Sequence, residues 1–314
     1  MKIVVVGPGA IGTLLTALLS RAIKSLDKDE VWLLDYKKER ANELLKKGIT
    51  IEGANKSLSV NVKVTAQIEQ IGPADIFIIC VKSYNTKQVI SAIKPVLKNG
   101  GSVLTLQNGL GNAEIISEAV GAEKVIMGVT NLGATLIKPE VVRFCGKGET
   151  LIGRFDGKMT AQMRSIRDIF NKAGIETKIS KDIKSLIWSK LIINAGINPL
   201  TAILRVNNGR LIELEGARRI MHKAITEAVR VAKRKRIKLI FDDPLAKIEA
   251  VAEATAENLS SMLQDILHKK RTEIDFINGA IVRQGQELGI PVLTNQLLID
   301  LIHSIEEGYS KSLA

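Results

Sequence analysis

Gly7-Pro8-Gly9-Ala10-Ile11-Gly12 follows directly on the apolar run Ile3-Val4-Val5-Val6 and opens a stretch with helical apolar spacing. The order strand, G-x-G-x-x-G, helix admits few folds. The first glycine makes a tight bend, the second lets backbone N–H groups approach a bound anion, and the third lets helix and strand pack closely. An anion seated there meets the positive end of a helix dipole. Asp35 closes the next apolar run, 23 positions past Gly12, where such a unit carries the acid that binds a ribose hydroxyl. This context predicts a dinucleotide site on residues 7–12 and Asp35, against the plainer alternative of a glycine turn in an unrelated loop.

Around that motif the chain alternates short β-branched runs (3–6, 31–35, 76–81, 102–106, 124–129) with amphipathic segments (10–24, 37–47, 87–97, 112–119). Apolar runs that do not alternate are what strands buried on both faces look like, so the expected fold is α/β with a Rossmann-type parallel sheet. Segments 134–137, 141–145 and 149–152, separated by Lys-Pro and Gly-Lys-Gly turns, predict a small antiparallel addition at the sheet edge. Beyond residue 181 strand signals nearly vanish, and helical patterns cover 183–195, 213–235, 245–257, 274–288 and 295–306. A length of 314 residues suits two domains. The expected division is 1–180, dinucleotide-binding, and 181–314, mostly α-helical, for substrate and dimerisation.

Composition excludes several classes. With 46% hydrophobic and 25% charged residues the chain is not disordered, and its longest apolar runs are strand-length, so no membrane association is expected. Met1-Lys2 leads straight into the first apolar run without a cleavage-site pattern, which makes the cytoplasm the expected compartment. Cys80 and Cys145 stand alone, without C-x-x-C or neighbouring His, so they read as packing residues and no metal site is encoded. The net charge of +12 raises polyanions as partners. It is spread, however: 25 basic and 17 acidic side chains lie in 1–180, and 20 and 16 in 181–314. The basic run Arg230, Lys233, Arg234, Lys235, Arg236 and Lys238 closes a predicted helix, where cations complement the dipole. It has no interleaved aromatics, so no nucleic-acid partner is expected.

Later strand ends carry Lys82-Ser83 and Gln107-Asn108-Gly109, side chains that an open α/β sheet directs into its ligand crevice. Asp35 bears on the choice of nucleotide, because a carboxylate accepts from a ribose 2′-hydroxyl and repels a 2′-phosphate. NADH is thereby favoured over NADPH, although Lys37, Lys38 and Arg40 offer charge to a phosphate. In the second half Lys190, Asn194 and Asn198 are spaced i, i+4 and i+8, one cation and two amides on one helical stripe if the helix continues to Pro199. Leu191, Ile192 and Ile193 make its surroundings apolar, and desolvation of an ammonium lowers its pKa toward the range useful for proton donation. Thr272 with Asp275 resembles a capping box, which places Glu273 in a helix's first turn. The three histidines, His222, His268 and His303, stand outside any polar cluster of the sequence.

Taken together, the glycine motif, Gln107-Asn108-Gly109, Gly133-Ala134 ahead of Gly146-Lys147-Gly148-Glu149-Thr150, Lys190 to Thr201, Ser260 to Asp265, and Thr272-Glu273-Ile274-Asp275 resemble the ketopantoate reductase (2-dehydropantoate 2-reductase) family over nearly the whole chain. The resemblance implies an oxidoreductase that reduces 2-dehydropantoate to (R)-pantoate with nicotinamide hydride, on the route to pantothenate and coenzyme A. It implies Lys190 as proton donor and Asn194, Asn198, Asn208 and Ser261 as substrate-binding, with Asn258 in addition. Asn108 would be shared between cofactor and substrate, Glu273 would lie by the cofactor and orient Lys190, and Ala134 would be a cofactor contact. The chain departs from NADPH-using members in having Asp35 where they have Arg. A reductase of another small 2-oxo acid, or a nucleotide-sensing DNA-binding protein, are the alternatives.

Overall fold

The computed structural model of the chain describes residues 1–23, 29–53, 57–146 and 148–310. Lys24, the last residue of the predicted first helix, and Lys147 of the Gly-Lys-Gly turn lie outside them. The chain folds into two compact units, Met1–Gln107 with Asn112–Ile183, and Asn108–Gly111 with Lys184–Ala314.

The first unit runs β1 (Lys2–Val6), α1 (Ala10–Ile23), β2 (Glu30–Leu34), α2 (Lys38–Lys47), β3 (Ile49–Glu52), β4 (Ser57–Val60), β5 (Lys63–Thr65), β6 (Ala74–Ile79), α3 (Thr86–Ile93), β7 (Leu97–Thr105), α4 (Asn112–Val120), β8 (Val125–Thr130), β9 (Gly133–Lys138), β10 (Val141–Gly146), β11 (Thr150–Gly153), α5 (Ala161–Lys172) and β12 (Thr177–Ile179). Its main sheet is ordered β12-β11-β8-β7-β6-β1-β2-β5. The strands from β5 to β8 pair parallel. Numbered among themselves along the chain, those six strands have the order 3-2-1-4-5-6 of a Rossmann sheet. β1 sits at the switch point, between β2 and β6, so the glycine turn that follows it opens where such sheets bind ligands. Val4 and Val5 of β1 are fully buried, as a strand covered on both faces requires.

The expected edge addition is built differently. β9 and β10 do pair antiparallel, but β10 also pairs parallel with β3, giving a separate sheet β4-β3-β10-β9. β11 joins the main sheet instead, antiparallel to β8 and parallel to β12. The pairing of Val141 with Thr50 spans about 90 residues of chain, and no local pattern encodes such a partner. Cys145 is exposed on β10 and is not a packing residue; Cys80 is half-buried, and desolvation pushes its thiol's pKa up to about 12.

The second unit is helical: α6 (Ile183–Leu204), whose first residue falls in the first unit, α7 (Arg210–Glu213), α8 (Glu215–Arg234), α9 (Pro244–Ala254), α10 (Ser261–Leu267), α11 (Asn278–Glu287) and α12 (Leu293–Glu307). α6 is apolar over a span long enough to cross a membrane, but 67% of that span is buried inside the protein. Leu191, Ile192, Ala195 and Leu200 of α6 pack with Met221, Ile225, Ile281 and Ile302 in one hydrophobic cluster. The predicted helix over 274–288 is broken: Ile274–Phe276 forms a 3-10 turn, and Ile277, at φ −102° and ψ −88°, separates it from α11.

Gly12 is the tightest point of the nucleotide turn. A Cβ there would overlap the Gly7 carbonyl oxygen and approach the Cys80 Cβ to 3.2 Å. Gly12→Ala is therefore expected to cost about 1–3 kcal/mol, read as a lowered thermal midpoint together with weaker nucleotide binding in calorimetry.

Candidate functional site

In the first unit, strand-end hydrogen bonds continue the sheet into the loops: Gly7 N–H donates to the Leu34 carbonyl at 3.1 Å, Cys80 N–H to Val6 at 2.8 Å and Leu106 N–H to Ile79 at 3.2 Å. Gly7 takes φ +106°, and a Cβ on it would press to 2.7 Å from Val81 Cγ1. Gly9, by contrast, is exposed, with no atom nearer than 4.0 Å to the place of its Cβ. Pro8 is buried, Ala10 and Ile11 are half-buried, and the first turn of α1 holds no acid. A pyrophosphate therefore fits against the backbone at Gly9 and the start of α1, whose leading N–H groups have no helical acceptor.

Asp35 is placed at the end of β2 as expected, but its carboxylate is already engaged. Oδ1 accepts from Tyr36 N–H at 2.6 Å, Lys37 N–H at 2.9 Å and Arg40 Nη2 at 2.6 Å, while Oδ2 accepts from Arg40 Nε at 2.6 Å. Its side chain is wholly inaccessible, and that of Arg40 is 19% exposed. Burial works against the guanidinium's charge, yet the Asp35 carboxylate outweighs it and Arg40 titrates above its ordinary value. The Arg40 guanidinium also lies 4.9 Å from the Tyr36 ring, which is 70% exposed. This corrects the expectation that Asp35 presents an open negative charge: Arg40, five residues on, neutralises it with a two-point contact.

Lys82 is half-buried just before the short turn Ser83–Asn85. A polar network sits behind that turn. Gln107 Nε2 donates to the Val81 carbonyl at 2.9 Å and to Thr86 Oγ1 at 2.8 Å, and Asn112 Nδ2 donates to Ser83 Oγ at 3.1 Å. The sequence reading missed Thr86 and Asn112, buried groups that hold the loop after β6. Ala134 lies on β9, opposite Phe144, half-buried beside the cluster that contains Leu14 and Leu15 of α1.

The second unit gathers the remaining candidates. α6 runs on through Pro199 to Leu204, so Lys190, Asn194 and Asn198 do form one stripe. Lys190 and Asn194 are partly buried, and Asn198 is 6% exposed. Burial pushes the Lys190 ammonium down to about 8, with the Glu273 carboxylate pulling the other way. Glu273 is itself buried, 6% exposed, immediately before the 3-10 turn. No capping box forms there: Thr272 Oγ1 accepts from Ile274 N–H at 3.2 Å, and Asp275 takes Arg271 Nη2 at 3.1 Å and faces His303 Nε2 at 3.0 Å. His303, and His222 at 2.6 Å from Glu249 Oε1, therefore do sit against carboxylates, supplied by other parts of the fold. Leu110 N–H donates to the Phe276 carbonyl at 2.9 Å, which ties the half-buried Asn108 loop to the Glu273 turn.

Thr201 Oγ1 donates to Ser260 Oγ at 2.7 Å, and Ser260 Oγ caps α10 by accepting from Leu263 N–H at 3.0 Å. This brings exposed Ser261, the first residue of α10, to the end of the α6 stripe. Asn208 N–H donates to the carbonyl of exposed Asn258 at 3.1 Å, and Asn208 Nδ2 to Thr255 Oγ1 at 2.9 Å. Its Oδ1 is a buried acceptor with no hydrogen-bond partner among the described residues, a position that a ligand hydroxyl would satisfy. Thr201 and Ser260 escaped the sequence reading as site residues, because their bond joins positions 59 apart.

Comparison with known proteins bears on these arrangements. Residues 3–157 match the family described as Ketopantoate reductase PanE/ApbA, and residues 182–306 match its C-terminal part. A 2-dehydropantoate 2-reductase of Archaeoglobus fulgidus is 36% identical over 307 residues, covering 98% of each chain. That of Halobacterium salinarum is 34% identical, over 96% of this chain and 98% of its own. Among solved structures, a ketopantoate reductase from Ralstonia eutropha is similar with TM-score 0.89 and 32% identity, over 98% of this chain and 99% of that one. A D-mandelate dehydrogenase solved with NADH and anilino(oxo)acetate reaches TM-score 0.91 at 27% identity, with the same coverage. The chain belongs to the ketopantoate reductase family, with a dinucleotide-type sheet unit and a helical unit that holds a desolvated lysine.

Proposed function

We propose that this protein reduces 2-dehydropantoate to (R)-pantoate with NAD(P)H, with Lys190 as the proton donor. The observation that carries the reading is the Lys190 ammonium, partly buried on the α6 stripe with its pKa pushed down to about 8. Reduced nicotinamide, when bound, supplies hydride to the C2 carbonyl carbon. As the carbonyl electron pair moves onto oxygen, Lys190 Nζ faces the growing negative charge and donates its proton, leaving a neutral amine that solvent reprotonates. Asn194, Asn198, Asn208 and Ser261, with Asn258 in addition, offer hydrogen bonds to the substrate carboxylate and hydroxyl. They add no charge that would shift Lys190. Glu273 keeps the Lys190 pKa from falling further, and Asn108 lies on the loop bonded to the Glu273 turn. Gly7 to Gly12, Lys82 and Ala134 are assigned to the nucleotide.

A reductase of another 2-oxo acid is the second reading, favoured by the likeness to the D-mandelate dehydrogenase structure. The unpartnered Asn208 Oδ1 supports 2-dehydropantoate, whose free hydroxyl an aryl 2-oxo acid lacks. Turnover on a panel of 2-oxo acids, followed by NAD(P)H absorbance, decides between them; a preference for the aryl acid rejects the main reading. We further take the enzyme to be a cytoplasmic homodimer on the route to pantothenate and coenzyme A. Leu293, Leu297 and Leu301, exposed at i, i+4 and i+8 on α12, are an apolar stripe that a second copy would cover.

Three outcomes test the assignment. Lys190→Ala is expected to lower kcat by about 10²–10⁴-fold while the nucleotide Kd stays within about twofold. Reduction needs the ammonium, so kcat/KM falls as pH rises through about 8; oxidation of the hydroxy acid needs the amine and rises over the same interval. Because Glu273 raises the Lys190 pKa, Glu273→Gln is expected to move that limb to lower pH, and an unmoved limb would detach Glu273 from Lys190. For the nucleotide, we propose that NADH and NADPH are both accepted, since Arg40 engages the Asp35 carboxylate and cancels the charge that would otherwise repel a 2′-phosphate. Arg40→Ala should then raise the NADH to NADPH ratio of kcat/KM by about tenfold, equivalent to about 1.4 kcal/mol. An unchanged ratio would remove Arg40 from the choice.

A further inference from the structure

Pro199 lies inside α6 and has no N–H to give the carbonyl four residues before it. That carbonyl belongs to Ala195, which is fully buried and stands between Asn194 and Asn198 of the stripe. A buried carbonyl deprived of its helical donor ordinarily bends the helix toward some other partner. Here the partner comes from another helix: Asn278 Nδ2, on the first residue of α11, donates to the Ala195 oxygen at 3.0 Å.

Asn278 is in turn held in place. It is fully buried, and its Nδ2 also donates to Asn295 Oδ1 at 3.0 Å. Asn295, fully buried on α12, passes its own Nδ2 to Glu227 Oε2 at 2.7 Å and to the Ala224 carbonyl at 2.9 Å. Glu227, on α8, accepts the N–H groups of Thr294 and Asn295 at 2.9 and 3.0 Å, so its carboxylate caps the first turn of α12. An anion in that place is favoured by the helix dipole. The chain of contacts runs from Glu227 of α8, through Asn295 at the capped end of α12 and Asn278 of α11, to the one carbonyl of α6 that Pro199 leaves open.

We infer that Asn278 is a positioning residue for the proposed reaction, its amide standing in for the missing Pro199 N–H and fixing the course of α6 where the Lys190, Asn194 and Asn198 stripe must stay in register. Without that donor the Ala195 carbonyl seeks another partner, α6 turns at Pro199, and Asn198 moves relative to Lys190. Misplacement by about 1 Å suffices for a loss of about 10²-fold. The inference rests on the assignment of Lys190 and the stripe to the reaction. Its geometry implies a specific rescue: Pro199→Ala gives residue 199 an N–H, which can bond the Ala195 carbonyl within the helix and make the Asn278 amide dispensable.

The test compares wild type, Asn278→Ala, Pro199→Ala and the double variant in kcat and KM for 2-dehydropantoate and in the titration of Lys190 followed by 13Cε-lysine NMR. Asn278→Ala is expected to lower kcat/KM about 10²-fold with NAD+ Kd unchanged, and to raise the Lys190 pKa from about 8 toward the ordinary lysine range. The double variant is expected to recover most of both. Normal kinetics and titration in Asn278→Ala, or a double variant as impaired as Asn278→Ala, overturn the inference. Should Asn278→Ala not fold, the double variant against Pro199→Ala decides: near equality supports the substitution of one donor for the other, and a large loss rejects it. Wild-type inactivity on 2-dehydropantoate would instead reject the proposed function, and the Lys190 titration alone would then judge Asn278.

Discussion

Keeping a charged amine partly out of water without neutralising it outright is the constraint around which the second unit is arranged. Leu191 and Ile192, each 1% exposed, lock α6 into the hydrophobic cluster and carry Lys190 with them. Desolvation lowers the ammonium's pKa, and Glu273 offsets part of that cost without cancelling it. The other polar groups along the stripe are amides, which hydrogen-bond without adding charge. One helix thus carries a buried apolar face and a separate polar stripe, and this is possible because 3.6 residues per turn separate the two faces.

The two units treat carboxylates in opposite ways. Asp35 is fully engaged by Arg40 and by two backbone N–H groups, so its charge is spent inside the first unit. Glu227 is spent in capping α12. Glu273, also buried, acts on Lys190. Most other ion pairs, such as Lys47 with Glu43 and Lys63 with Glu30, are exposed and contribute little to stability. The net charge of +12 therefore says less about function than the surroundings of a few acids do.

Order along the chain carried much of the architecture. The runs ending at Val6, Asp35 and Val81, and the turn at Gly7 to Gly12, mark a parallel sheet and its switch point because buried parallel strands have a local signature. The spacing of Lys190, Asn194 and Asn198 was equally visible, since a helix period is a local property. What escaped was non-local. β10 chooses β3 as a partner and so forms a second sheet, and Thr201 reaches Ser260 across 59 positions. The capping-box reading at Thr272 failed because Ile277 breaks the helix after one 3-10 turn.

Period and order along the chain were thus enough to determine the fold class, the family, the glycine turn and the residues of the helical stripe. The electrical state of those residues was settled only by tertiary packing. Asp35 reads as a free acid in the chain and is a neutralised one in the fold, because Arg40 folds back onto it from the first turn of α2. The chain shows the helical stripe only as far as Pro199, whereas in the fold α6 continues past it to Leu204, and Asn278 from α11 donates to the Ala195 carbonyl that Pro199 leaves without its helical donor. Charge and hydrogen-bond state depend on what surrounds a group, and those surroundings come into being only when distant segments pack together.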